Sequence, residues 1–225
     1  MKPESSHITI VHNSLQGVHR KRNQDDILLH SNRDSHLFVL FDGVSSLNES
    51  IDFIQSCKHF IQENYIQYIG EDKIDLEGLV YDMHKESLKT GKIGKTTCSA
   101  LLLKKRLNNG YVVSVGDTRV YVFSNSYLEP LTRDDNLPGN SNILTKCIGW
   151  DGLRPDDIDQ IEVDANQNFL ICSDGFYSMM EKNVMSYFRI FHFKRKGNII
   201  NAINRLQKDN NRDDATYIMI RNEGI

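Results

Sequence analysis

The sequence has no apolar run that approaches the ~20 residues needed to cross a bilayer. Its opening stretch, MKPESSHITIVHNS, lacks a long apolar core, so we expect neither a signal peptide nor a membrane anchor. A strong charge of either sign is also absent, because 27 Lys and Arg oppose 30 Asp and Glu and leave a formal charge of −3. Composition therefore provides no electrostatic argument for nucleic acid or an anionic membrane as a partner.

Cysteine is scarce, and no Cys-x-x-Cys pair occurs among Cys57, Cys98, Cys147 and Cys172. This wide spacing is typical of free thiols in a reducing cytosol, and not of a disulfide framework or a zinc site. We therefore expect a cytoplasmic protein. With 225 residues, of which 39% are hydrophobic, the chain can bury one sizeable core. The length predicts a single domain over residues 1–225.

Short strand-like segments dominate the chain, and helical periodicity is confined to a few stretches. Amphipathic helices are predicted over Asn48–Ile69, Leu76–Leu88, Phe176–Tyr187 and Asn198–Lys208. The segments TTCSALLL, GYVVSV, RVYVF and YLEPLT are separated by turn signals, which predicts one continuous antiparallel meander. Because the strands run together between pairs of helices, the pattern indicates a layered α+β domain and not an alternating βαβ fold.

Two strand-like segments stop abruptly at an Asp-Gly pair, HLFVLFDG at Asp42 and NFLICSDG at Asp174. Asp-Gly is favoured in tight hairpin turns, but a hairpin needs a second apolar strand directly afterwards. The residues that follow Gly43 are polar, and those that follow Gly175 have helical spacing. Neither pair therefore predicts a hairpin, and each aspartate requires another role.

Acidic residues recur at the ends of predicted strands along the whole chain. The sites are Asp25-Asp26, Asp42, Asp117, Asp174 and Asp213-Asp214. Carboxylates held close together repel each other unless a cation lies between them. Oxygen ligands without His or Cys favour Mg²⁺ or Mn²⁺ over Zn²⁺. The alternative is a set of independent turn aspartates, because Asp is common in turns, and composition alone leaves both interpretations open.

Seven segments decide between these interpretations by their order along the chain: GVHRKRNQDD, LFVLFDGVSS, GKTTCSALLL, VSVGDTRVYVF, LTRDDN, FLICSDGFY and NRDDATYIMI. In this order they resemble the motifs of the metal-dependent type 2C serine/threonine protein phosphatases. The resemblance covers roughly residues 8 to 221. It implies a four-layer αββα sandwich of two antiparallel sheets flanked by helices, with a metal site at one edge between the sheets.

The resemblance also implies roles for individual residues around two Mn²⁺ or Mg²⁺ ions, with a third and weaker ion beside them. Asp42 would bridge the two ions, and the carbonyl of Gly43 would be a further ligand. Asp174 and Asp213 would complete the shell of one ion. Asp25 would contact the second ion through the water molecules bound to that ion, and Asp117 would bind the third ion. Arg20 would bind the substrate phosphate.

The implied function is hydrolysis of phosphoserine and phosphothreonine in proteins by a metal-activated water. The expected partners are phosphoproteins that a serine/threonine kinase produces, and we expect a cytoplasmic, bacterial-type monomer that binds neither nucleic acid nor membranes. An alternative from another class is a pseudophosphatase, a phosphoprotein-binding module whose metal site has decayed. The presence of Asp42, Asp174 and Asp213 favours the enzyme.

Two departures from the family pattern and one basic run carry expectations of their own. Gln24 stands where many relatives have a Glu ligand, which predicts a weaker second ion. The segment NLPGNS, where relatives carry a longer flap, predicts an open cleft with low peptide selectivity. The basic run Phe193–Gly197, FKRKG, is either a solvated loop or a contact for an acidic phosphoprotein.

Overall fold

A computed structural model describes residues 8–47, 49–70, 74–105 and 108–222. These residues form two five-stranded antiparallel sheets, a two-stranded hairpin and five α-helices. Asn48, the predicted start of the first helix, lies outside the described residues. Among the helices of the described ranges, none is both long and apolar enough to span a bilayer.

The first sheet is covered on its outer face by two helices, α1 (Ser50–Tyr68) and α2 (Leu76–Lys89). Apolar residues of α1 recur at helical spacing and bury against this sheet, among them Phe53, Cys57 and Ile61. In spatial order the strands are β10 (Gln160–Asp164), β5 (Asn109–Val115), β4 (Thr96–Lys104), β3 (Ser35–Gly43) and β2 (Asp25–Ser31).

The second sheet is covered by three helices, α3 (Asp174–Lys182), α4 (Val184–Phe191) and α5 (Lys196–Gln207). The sequence predicted one helix over residues 176–187. The structure has two helices there, α3 and α4, which meet at Asn183. In spatial order the strands are β1 (Ile8–Leu15), β12 (Ala215–Asn222), β11 (Asn168–Cys172), β6 (Arg119–Phe123) and β7 (Leu128–Pro130).

A third apolar cluster lies between the sheets and joins the two halves of the sandwich. In β3, Val39 and Phe41 face the helices whereas Phe38 and Leu40 face the other sheet, as the two-residue period of a strand requires. Burial on both faces explains why this segment is continuously apolar and not alternating. The predicted four-layer α+β sandwich of antiparallel sheets is confirmed.

The predicted continuous meander is wrong at its midpoint. β4 and β5 pair within the first sheet, but β6 and β7 pair within the second, so the chain changes sheets at Gly116-Asp117. The free edge of β5 is taken by β10, which follows much later in the sequence. A local turn signal cannot reveal this distant pairing. The crossover places Asp117 between the two sheets at one edge of the sandwich.

Candidate active site

Asp42 lies at the end of β3 and directly opposite Asp25 in the ladder with β2. Directly opposed residues of an antiparallel pair project from the same face of the sheet, so both carboxylates project from one face. Gly43 permits the close approach of the loop that carries these residues. A Cβ atom at Gly43 would lie 2.6 Å from the carbonyl oxygen of Gln24, which accepts a hydrogen bond from the Gly43 amide at 3.2 Å.

Asp174 is the first residue of α3, where the partial positive charge of a helix N-terminus favours a carboxylate. Gly175 allows α3 to begin against the start of β12, because a Cβ atom there would lie 2.1 Å from the Asp214 carbonyl oxygen. The carboxyl group of Asp42 also forms a hydrogen bond with Asp174 that partly opposes the rise in the pKa of Asp174. The two Asp-Gly segments therefore meet at the edge of the sandwich.

Six of the seven residues singled out from the sequence line one pocket of about 240 Å³: Arg20, Asp42, Gly43, Asp117, Asp174 and Asp213. The pocket also contacts Val44, Ser45, Thr97 and Leu144. The seventh residue, Asp25, lies outside the pocket lining but adjoins it through its position opposite Asp42. The structure thus brings together residues from five separate segments of the chain.

The position of Asp117 is set by the segment LTRDD. The side chain of Asp135 accepts a hydrogen bond from the Gly116 amide at 3.0 Å, and the Gly116 carbonyl accepts one from the Asp135 amide at 2.9 Å. Asp134 binds both Nε and Nη2 of Arg119 at 2.7 Å, which holds the first residue of β6. These contacts give the motif a structural role that the sequence did not specify.

Arg20 and Asp213 form a two-point ion pair at the mouth of the pocket. Arg20 Nε donates to Asp213 Oδ1 at 2.7 Å, and Nη2 donates to Oδ2. This hydrogen bonding to Asp213 raises the pKa of Arg20. Both residues are partly exposed, with side-chain exposures of 28% and 38%, so a ligand can reach either of them.

Asp214 holds the loop on which Arg20 lies, a role that sequence reasoning missed. Its two carboxylate oxygens accept hydrogen bonds from the backbone amides of Gly17 and Gln24, at 2.9 and 2.8 Å. In the sequence, Asp214 is visible only as one of the acidic residues at the ends of predicted strands. Its structural role depends on two amides nearly two hundred positions away in sequence, which no local pattern reveals.

Burial and mutual repulsion raise the pKa values of the clustered carboxyl groups. Burial is the main cause for Asp25, whose pKa rises to about 7 while hydrogen bonding to Thr216 acts in the opposite direction. Burial and then the charge of Asp25 raise the pKa of Asp42. Burial and the charge of Asp174 raise the pKa of Asp117 to about 7. Such a group of desolvated carboxylates is stabilised by divalent cations.

The donor set fits Mg²⁺ or Mn²⁺, because it consists of carboxylates and one carbonyl group without His or Cys. Asp25 Oδ2 is buried and has no hydrogen-bond partner among the described residues, which leaves one oxygen available as a ligand or as an acceptor from bound water. Within the described ranges, no three His, Cys, Asp or Glu side chains are gathered closely enough to hold an ion as they stand. In this arrangement the Asp213 carboxylate is bound by Arg20.

Three further residues refine the sequence-based expectations. Gln24 Nε2 donates to the Leu47 carbonyl at 3.4 Å, and Gln24 does not line the pocket. Thr97, considered from the sequence only as a strand residue, lies opposite Asp42 in the β3–β4 ladder and has a buried hydroxyl without a hydrogen-bond partner. Leu144 reaches the pocket from the short hairpin of β8 (Asn136–Leu137) and β9 (Asn140–Leu144).

Comparison with known proteins associates this fold with phosphatases. No protein-family model matches the chain. A protein of Mycoplasma genitalium, provisionally described as a protein phosphatase, is 22% identical over 207 residues, covering 76% of this chain and 78% of that protein.

Solved structures of bacterial phosphatases share the fold over nearly the whole chain. A bacterial serine phosphatase superimposes with a TM-score of 0.82 at 21% identity, covering 97% of this chain and 99% of its own. The serine/threonine phosphatase Stp1 from Staphylococcus aureus gives 0.78 at 19% identity, with coverages of 98% and 97%. RsbX in complex with magnesium gives 0.70 at 17% identity, with 97% of each chain covered. The fold around the pocket is therefore that of these proteins.

Proposed function

We propose that this protein is a metal-dependent serine/threonine protein phosphatase. The observation that carries the proposal is the pocket, in which Arg20, Asp42, Asp117, Asp174 and Asp213 converge on the fold of bacterial serine/threonine phosphatases. A phosphomonoester dianion would be repelled by these carboxylates alone. Its binding therefore requires metal cations and an arginine, which supply positive charge.

We further propose that Mn²⁺ or Mg²⁺ ions bind at Asp42, at the carbonyl of Gly43, and at Asp174 and Asp213. Asp25 would contact a second ion through water, and Asp117 would hold a third, weaker ion. When bound, such ions lower the pKa of a water molecule and shield the phosphoryl oxygens. The magnesium present in the RsbX structure supports this choice of ion.

Arg20 is suited to bind the substrate phosphate once its guanidinium is no longer bound to Asp213. Its planar guanidinium already presents two donors, Nε and Nη2, to a pair of oxygens on a partner. A phosphate offers oxygens with comparable spacing, and the guanidinium stays charged at any working pH. The hydrogen bonds from Gly17 and Gln24 to Asp214 keep this loop in place during the exchange.

The pseudophosphatase alternative is not favoured, because a decayed site would be expected to lose at least one of Asp42, Asp174 and Asp213, and all three line the pocket. The proposed substrates are cytoplasmic proteins phosphorylated by a serine/threonine kinase, and the proposed form is a monomer.

The direct test is hydrolysis of p-nitrophenyl phosphate and of a phosphothreonine peptide by the purified protein. Mn²⁺ is supplied at about 2–5 mM, because weak metal sites are filled only by an excess of the ion. We expect phosphate release from both substrates and no release from Asp42→Asn under the same conditions. Activity that Asp42→Asn retains would overturn the site. Binding of the phosphopeptide without any turnover would instead support the pseudophosphatase.

A further inference from the structure

A second and larger cleft, of about 1140 Å³, adjoins the active-site pocket and shares Asp117, Asp174 and Asp213 with it. From these residues the cleft extends along α3 to Lys182 at the end of that helix, and along the turn after α5 to Arg212. Its volume lies at the upper end of the ~300–1,000 Å³ range of small-molecule pockets, which leaves room for a segment of polypeptide.

Apart from Asp209, the acidic residues of the cleft lining already have partners or proposed partners. Arg119 binds Asp134 at 2.7 Å and also contacts Glu181, while its guanidinium stacks over the Tyr177 ring at 3.6 Å. Asp117, Asp174 and Asp213 belong to the proposed metal site. Asp209 is the one further acid in the lining of this cleft.

Two cations in the cleft lining remain: Lys182 at the far end of α3, and Arg212, which directly precedes Asp213 of the active-site pocket. Lys182 and Arg212 are both exposed, and neither forms an ion pair within the part of the chain that the structure describes. Lys208, which caps α5, lies next to Asp209 in sequence and is also exposed. Of these three cations, Lys182 is the one that lines the far end of the cleft.

This end of the cleft opens onto the most basic segment of the protein. From Lys182 to Lys208 the chain contains seven Lys and Arg residues and no Asp or Glu, although the whole chain has a formal charge of −3. The segment forms α4 and α5 and the start of the loop that follows them. An anionic ligand is thus attracted to the far end of the cleft.

We propose that this cleft binds the polypeptide that flanks the phosphorylated residue, and that Lys182 selects acidic residues in it. The inference rests on the proposed phosphatase function. Asp174 and Lys182 are the first and last residues of α3, and the rise of 1.5 Å per residue separates their Cα atoms by about 12 Å. An extended peptide covers that distance in about three or four residues. The preferred substrate is therefore a phosphoprotein with Asp or Glu about three or four positions from the phosphorylated residue.

The test compares two phosphothreonine peptides that differ only in carrying Glu or Gln at positions three and four from the phosphothreonine, with both flanks sampled. For the unmodified protein we expect a kcat/KM ratio in favour of the Glu peptide of about tenfold, the size of one well-placed charge interaction. Lys182→Glu should reduce this ratio to one or reverse it, through KM and not kcat. Lys182→Gln should give an intermediate ratio.

Lys194→Glu provides the matched control, because Lys194 is exposed, lies in the same basic segment and precedes α5 at the end remote from the cleft. It should leave the ratio at the value of the unmodified protein. An equal loss of preference in both variants would show a long-range charge effect and overturn the proposed subsite. No preference for Glu in an active protein would also overturn it, whereas absence of all phosphatase activity would refute the proposed function instead.

Discussion

The guanidinium of Arg20 and the carboxylate of Asp213 hold each other through two parallel hydrogen bonds, one of them 2.7 Å from Nε to Oδ1. The pair joins the residue proposed to bind phosphate to a residue proposed to bind metal. A metal ion that binds Asp213 would therefore compete with the guanidinium of Arg20 for the same carboxylate oxygens. Metal binding would release the arginine for the substrate, so that the phosphate site is completed only after the metal site is filled.

Replacement of Arg20 by Ala should consequently have two separable effects. KM for a phosphothreonine peptide should rise about 10- to 100-fold, because hydrogen bonds to a charged group contribute ~1.5–3 kcal/mol. Mn²⁺ affinity, measured by titration calorimetry without substrate, should increase about two- to fivefold, as expected when a partly exposed ion pair no longer competes. Lys21→Ala, in the same basic run, is the control. Unchanged Mn²⁺ affinity in Arg20→Ala would disprove the competition.

Replacement of Asp42 by Asn should separate catalysis from stability. Turnover of p-nitrophenyl phosphate should fall at least about a hundredfold, because even residues behind metal ligands contribute 10- to 100-fold. The melting temperature of the EDTA-treated protein should rise, because Asp42 is partly buried and repelled by Asp25 and Asp174. An increase of about 2–4 °C would correspond to ~1 kcal/mol. The control is Asp159→Asn at an exposed site, which should change neither turnover nor melting temperature. A lower melting temperature for Asp42→Asn would contradict the proposed repulsion.

Removal of metal should abolish activity and leave the fold intact, because the three apolar clusters of the sandwich do not involve the carboxylates. After EDTA treatment we expect activity to return at lower concentrations of Mn²⁺ than of Mg²⁺, which dehydrates more reluctantly. A metal titration of activity beside a circular-dichroism spectrum checks both statements. Full activity in excess EDTA would refute the mechanism, and equal rescue by the two ions would refute the expected order.

Replacement of Asp214 by Asn should destabilise the protein despite the similar shape of the side chain. Both oxygens of Asp214 accept backbone amides, from Gly17 and Gln24, whereas Asn offers a single acceptor oxygen. One buried amide would lose its partner, at a cost of about 1–3 kcal/mol in the free energy of unfolding. Urea denaturation with Asp159→Asn as control measures this loss. Equal stability of the two variants would show that the amides find other partners.

The local sequence determined the strands and helices on which the pocket residues lie, and the carboxylate chemistry of those residues. The run that ends at Asp42 is apolar without interruption because both faces of β3 are buried, so the strand and its abrupt end were visible without a structure. The order of the seven motifs predicted the two-sheet sandwich and the residues that line the pocket. Such features are encoded by neighbouring residues and by their order along the chain.

Other features depend on contacts between distant segments, and only the tertiary structure decided them. The crossover at Gly116-Asp117 resembles a hairpin in sequence, but the edge of β5 pairs with β10 and the chain enters the second sheet. The contact of Arg20 with Asp213 and the binding of two distant amides by Asp214 exist because β12 begins beside the loop that follows β1. The large cleft also depends on the tertiary structure. Both ends of α3, Asp174 and Lys182, line it, and no sequence pattern shows that they share one cleft.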